Sequence, residues 1–112
     1  MDDVRVERVL RAVECIPCGS VATYGDIGDV TGESARVIGR VLALWGSNVP
    51  WWRVCNSKGE IPGHSAEALE LWLADKLPVK AQGSLKLVDC RVNVAELKDQ
   101  VATVFDGLEG NS

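Results

Sequence analysis

Between Thr23 and Trp45 the sequence spells out two helices and the turn between them. Thr23 followed by Asp26 has the form of a capping box, which satisfies two free amides at a helix start and opens a short helix through about Val30. Gly32 breaks it. Ser34 then caps a second helix that runs to about Trp45 and is closed by Gly46. Two helices joined by a short glycine-containing turn form a helix-turn-helix, and this limits the fold more than any other stretch.

The rest of the chain is read around that unit. Val6, Val9, Leu10 and Val13 recur at helical spacing over residues 4–15, and Pro17 and Gly19 stop that helix. Arg53-Val54-Cys55 and Glu60-Ile61 flank Asn56-Ser57-Lys58-Gly59, which predicts a small hairpin or wing. A further helix is expected from Ser65 to about Lys76. Leu85-Lys86-Leu87-Val88 suggests a short strand, and a last helix starts at Asn93 or Val94 and ends near Phe105. Trp45 and Trp72 fall at core positions. With 46% hydrophobic and 25% charged residues, the 112-residue chain suits one domain over residues 1–106 and a flexible tail at 107–112. The fold class is mainly α, a winged helix-turn-helix with a small β hairpin.

The formal net charge of −4 excludes a wholly basic nucleic-acid binder, but the charge is unevenly distributed. Residues 34–58 hold Arg36, Arg40, Arg53 and Lys58 and no acid, a balance of +4, while the remainder carries −8. Such a distribution favours a single docking orientation on a polyanion. Within the second helix, Ala35 and Gly39 stand one turn apart between Arg36 and Arg40. An interior helical glycine is destabilising by up to about 1 kcal/mol relative to alanine, so either another backbone approaches here or two helices pack tightly. No apolar run is long enough to span a membrane. The opening Met1-Asp2-Asp3-Val4 lacks the basic start of a secretory signal. Cys15 and Cys18 form a C-x-x-C without a second ligand pair, while Cys55 and Cys90 stand alone, so no metal site, no cofactor and reduced thiols are expected.

Three stretches then resemble one family in its order and spacing. Ile16-Pro17-Cys18-Gly19-Ser20-Val21-Ala22-Thr23-Tyr24-Gly25-Asp26-Ile27 is similar to the I-P-x-G-x-V-x-T-Y-G-x-I stretch of the O6-alkylguanine-DNA alkyltransferases. Ala35-Arg36-Val37-Ile38-Gly39 resembles their recognition helix, A-R-x-V-G, and Pro50-Trp51-Trp52-Arg53-Val54 falls on their active-site signature, P-C-H-R-V. The nucleophilic cysteine falls on Trp51 and the histidine on Trp52. Alkyl transfer needs an activated thiolate, which an indole cannot replace. The pattern therefore resembles the alkyltransferase-like proteins, which keep the DNA-binding domain and lack the reactive cysteine. The length fits a chain without the family's N-terminal domain.

The resemblance implies a non-enzymatic protein that binds O6-alkylguanine through the minor groove, flips the nucleotide and flags it for nucleotide excision repair. It implies DNA contacts from Tyr24, Ser34, Ala35, Arg36, Gly39 and Arg40. In this reading Arg36 is the finger that fills the vacated base stack, and Tyr24 helps rotate the phosphate. A lesion pocket is implied at Trp51, Trp52, Val54, Asn48 and His64, with Asn48 near the family's hinge asparagine. His64, where several relatives carry arginine, is either a weaker contact or a bystander, and Arg53 reads as a structural bridge. Alkylated double-stranded DNA and excision-repair proteins are the expected partners of a monomer. Its compartment would be the nucleoid-containing cytoplasm in a bacterium or the nucleus in a eukaryote. Two alternatives remain at this point: a winged-helix transcription regulator, and an active transferase using Cys55.

Overall fold

The computed structural model describes residues 3–109. Among these residues the α-helices are five: α1 (Asp3–Glu14), α2 (Tyr24–Thr31), α3 (Ala35–Trp45), α4 (Ser65–Ala74) and α5 (Val94–Glu109). Strands β1 (Ala22–Thr23) and β2 (Val54–Cys55) make the two-stranded sheet. No helix among the described residues is long and apolar enough to cross a membrane.

The helix-turn-helix forms for the reasons its sequence announced. Thr23 Oγ1 accepts from the Asp26 amide, and the Asp26 carboxylate accepts from the Thr23 amide, each at 3.0 Å. Gly32 takes the left-handed conformation (φ 79°) that closes α2, and Ser34 Oγ accepts from the Val37 amide to open α3. Gly28 lets the turn fold tightly, because a Cβ there would run into the Glu33 carbonyl. Asp26 has a second role. Arg91, from the segment before α5, grips its carboxylate with a two-pronged contact at 2.6 and 2.9 Å. Burial would raise the Asp26 carboxyl, but the hydrogen bonds from Arg91 and Thr23 outweigh it and hold it below the usual carboxylate range.

Two apolar clusters hold the layers together. Val6, Val9 and Val13 of α1 pack with Ile27 of α2, Ile38 and Val41 of α3, and Leu97, Val101 and Phe105 of α5. Cys55, Ile61, Ala68, Trp72, Leu77, Leu85 and Cys90 form the second cluster, around α4.

Several expectations need correction. The small sheet is not a hairpin: β2 pairs in parallel with β1, Ala22 opposite Val54 and Thr23 opposite Cys55. The edge of β2 is taken by the strand that precedes α2. Residues 56–60 instead form a turn held by Asn56, whose amide donates to the Glu60 carbonyl and whose Oδ1 accepts from the Glu60 amide, each at 2.9 Å. The strand expected at 85–88 is a single bridge, Val79 to Leu85, followed by a helical turn at Leu87–Asp89. Trp72 is buried as expected, but Trp45 is 43% exposed. It continues the Ile38–Val41 periodicity, yet α3 ends at that residue and its ring passes beyond the core. The last helix continues to Glu109, into the stretch read as a tail, and residues 110–112 lie outside those described.

Candidate nucleic-acid interface

Helix α3 buries Ile38 and Val41 and turns Ala35, Arg36 and Arg40 outward. A Cβ built on Gly39 would meet nothing within 4 Å. Helix–helix packing therefore does not explain this glycine; the backbone is open to something outside the molecule. Arg36 and Arg40 have no ion-pair partner among the described residues, whereas Arg5 pairs with Glu33, Arg53 with Asp75 and Arg91 with Asp26.

Beside this face lies a cavity of about 270 Å³. Tyr24 bounds it from the start of α2, and Gly39, Leu42 and Ala43 from α3. Gly46, Ser47 and Trp51 bound it from the following loop, and Ile61, Pro62, His64 and Glu67 from the approach to α4 and its first turn. The Trp51 and His64 rings lie 5.7 Å apart, tilted by 59°. Tyr24 is half-buried, and burial raises its phenol above the ordinary value, so at neutral pH it keeps its proton and can donate. A second cavity, of about 370 Å³, lies on another face of α4 between Ser65, Leu69, Trp72 and residues 82–84, away from α3.

The loop that presents Trp51 is clamped by its next two residues. Trp52 donates its indole N–H to Asp75 at 2.7 Å, and Arg53 Nε donates to the same carboxylate oxygen at 2.8 Å. Arg53 also reaches the Ile16 carbonyl at 3.2 Å, while the buried Trp72 indole donates to the Trp52 carbonyl at 2.7 Å. The Arg53 bridge expected from the sequence is thus present, tying the end of α1 to the end of α4. The Arg53 hydrogen bond, joined by that of Trp52, holds the Asp75 carboxyl below its ordinary range.

Of the residues singled out from the sequence, Tyr24, Gly39, Trp51 and His64 come together around the cavity, and Ala35, Arg36 and Arg40 share the exposed face next to it. Ser34 serves as the cap of α3. Three pocket residues are placed elsewhere. Trp52 is turned away toward Asp75, Val54 is fully buried because the strand alternation points it into the first core, and Asn48 is exposed outside the lining. Glu67 and Asp75 were missed. Glu67 could have been suspected from its position three residues after His64, but Asp75 gives no local signal, being 22 residues from Arg53.

None of the four cysteines lines the cavity. Cys55 is completely buried, with Sγ 3.8 Å from the Ala22 carbonyl, and burial pushes its thiol up to about 12.

The family model for the DNA-binding domain of 6-O-methylguanine DNA methyltransferase matches residues 5–77. The chain belongs to that family. Among the relatives of this family member, a protein of Escherichia coli (strain K12) called DNA base-flipping protein is 36% identical over 100 residues, covering 82% of this chain and 77% of its own. Alkyltransferase-like protein 1 of Schizosaccharomyces pombe is 38% identical over 74 residues, covering 62% of this chain and 68% of its own. The crystal structure of S. pombe Atl1 in complex with damaged DNA containing O6-carboxymethylguanine superposes with a TM-score of 0.70 at 26% identity, covering 83% of this chain and 98% of that one. The match confirms the mainly helical fold of the methyltransferase DNA-binding domain for this chain.

Proposed function

We propose that this protein recognises O6-alkylguanine in DNA and leaves the alkyl group in place. One observation carries the reading: the cavity beside α3 has an indole wall, Trp51, where the family resemblance puts an alkyl-accepting cysteine, and no sulfur lines it. The open face at Ala35 and Gly39 allows the α3 backbone to approach the minor groove, with the unpaired Arg36 and Arg40 supplying charge. Arg36 inserts into the stack as the base leaves, and the protonated Tyr24 hydroxyl donates to the rotated phosphate. Extruding a base costs a few kcal/mol, less when alkylation has already weakened its pairing, which gives a preference for the lesion before any pocket contact forms. Inside the cavity the flat apolar face of Trp51 stacks on the base or packs against its alkyl group.

The names of the relatives and the damaged-DNA complex of Atl1 support DNA binding with a flipped nucleotide. Cys55 does not offer a substitute for the missing nucleophile, because a fully buried thiol raised to about 12 carries negligible thiolate at neutral pH. Beyond Arg36 and Arg40, the face formed by Ala35, Val37 and Gly39 offers few of the polar side chains with which a regulator reads base edges in the major groove. With no transfer chemistry, the bent and flipped complex acts as a flag, and nucleotide-excision proteins are its natural readers.

A binding titration against duplexes that differ only in guanine or O6-methylguanine tests the reading, with the intact mass of the protein measured after incubation. The expected result is tighter binding to the methylated duplex and an unchanged mass. Equal affinities would overturn lesion recognition, and a stoichiometric gain of a methyl group would overturn the non-catalytic reading. The flagging step predicts faster incision of the lesion strand by an excision-competent extract when the protein is added.

A further inference from the structure

Glu67 gives the cavity a charge that the proposed function does not use. It sits in the first turn of α4 among the residues that line the same cavity as Trp51 and His64. Its neighbours in that lining are aromatic, aliphatic, glycine or hydroxyl-bearing residues and the imidazole of His64, so Glu67 is the single carboxylate among them. Its carboxylate has no ion pair or hydrogen bond among the described residues, unlike Glu33, Asp26 and Asp75, each of which is held by an arginine. The α4 dipole offsets part of the charge, but it amounts to about half a unit against a full one.

We infer that Glu67 sets the charge preference of the lesion pocket: it disfavours O6-alkyl groups ending in a carboxylate and favours neutral or cationic ones. The inference rests on the lesion-binding reading above and deepens it to a substrate class. An anionic arm attached to the guanine oxygen would share one small, partly open cavity with an exposed, unpaired carboxylate, and solvent screens their repulsion only in part. An ammonium group in the same place would gain a partner. At separations of several ångströms, with the effective dielectric of a partly open site, each effect amounts to roughly 3- to 10-fold in affinity. The protein would then differ in lesion range from S. pombe Atl1, whose structure holds O6-carboxymethylguanine.

The test uses the full chain and four duplexes of one sequence, carrying guanine, O6-methylguanine, O6-carboxymethylguanine or O6-(2-aminoethyl)guanine, at one fixed salt concentration. The expected order of affinity is aminoethyl, then methyl, then carboxymethyl. Glu67→Gln should collapse the ratio of aminoethyl to carboxymethyl binding toward one, and Glu67→Lys should invert it. Reading a ratio within each variant cancels any general gain in affinity for a polyanion, and circular dichroism checks that both variants fold. If the methyl duplex binds no better than guanine, the lesion-binding reading fails and this inference fails with it. If the methyl preference stands but the wild type shows no charge order, or the order survives in Glu67→Gln, the assignment to Glu67 alone is overturned.

Discussion

The open face of α3 and the seam where the Trp51 loop meets α4 use the same two residue types, arginine and tryptophan, to opposite ends. In the seam, Arg53 is paired with Asp75 and bonded to the Ile16 carbonyl, and the Trp52 indole N–H is satisfied by the same aspartate. At α3, Arg36 and Arg40 have no internal partner, and the adjacent Trp51 makes ring contacts at the edge of a cavity. A charge satisfied inside the molecule holds the fold together, while one left unsatisfied is available to a partner. The comparison separates residues that a sequence cannot tell apart: Trp51 and Trp52 are neighbours in the chain, yet one bounds the site and the other braces it.

Substitutions should break this division in order of size. Asp75→Ala leaves the half-buried Arg53 and Trp52 without their acceptor and should lower unfolding free energy by about 2–3 kcal/mol in a urea melt. A change below about 0.5 kcal/mol would mean that the seam is ornamental. Arg36→Ala should do the reverse, leaving the melt within about 0.5 kcal/mol of the parent while weakening lesion-duplex binding by about tenfold or more, roughly 1.4 kcal/mol. Gly39→Ala sharpens the contrast, because its Cβ meets nothing in the free protein. It should stabilise the helix by about 0.5–1 kcal/mol and yet reduce DNA affinity, which only an external backbone approach explains.

Acid gives the smallest effect, and it falls on the braced side. Asp26 and Asp75 both have carboxyls held below the ordinary range in the folded chain. Their contribution is complete above the unfolded carboxylate value of about 3.9 and is lost as pH falls through the lower folded values. Stability should therefore be flat from neutral pH down to about 5 and decline below about 4, with a shallower decline in Asp26→Asn.

The sequence by itself determined the elements whose causes are local. The Thr23–Asp26 box, the Gly32 stop and the Ser34 cap rest on contacts three or four residues apart, so they were legible along with the three long periodic helices. It also determined the chemistry available at position 51, since no fold turns an indole into a thiolate. Tertiary structure decided where that chemistry faces. The parallel pairing of β1 with β2, the convergence of Asp75 on Trp52 and Arg53, the Arg91 grip on Asp26 and the arrival of Glu67 at the cavity each join residues more than 20 positions apart or on separate elements. Such contacts depend on which surfaces the packed helices bring together. The spacing of residues along the chain holds no record of that.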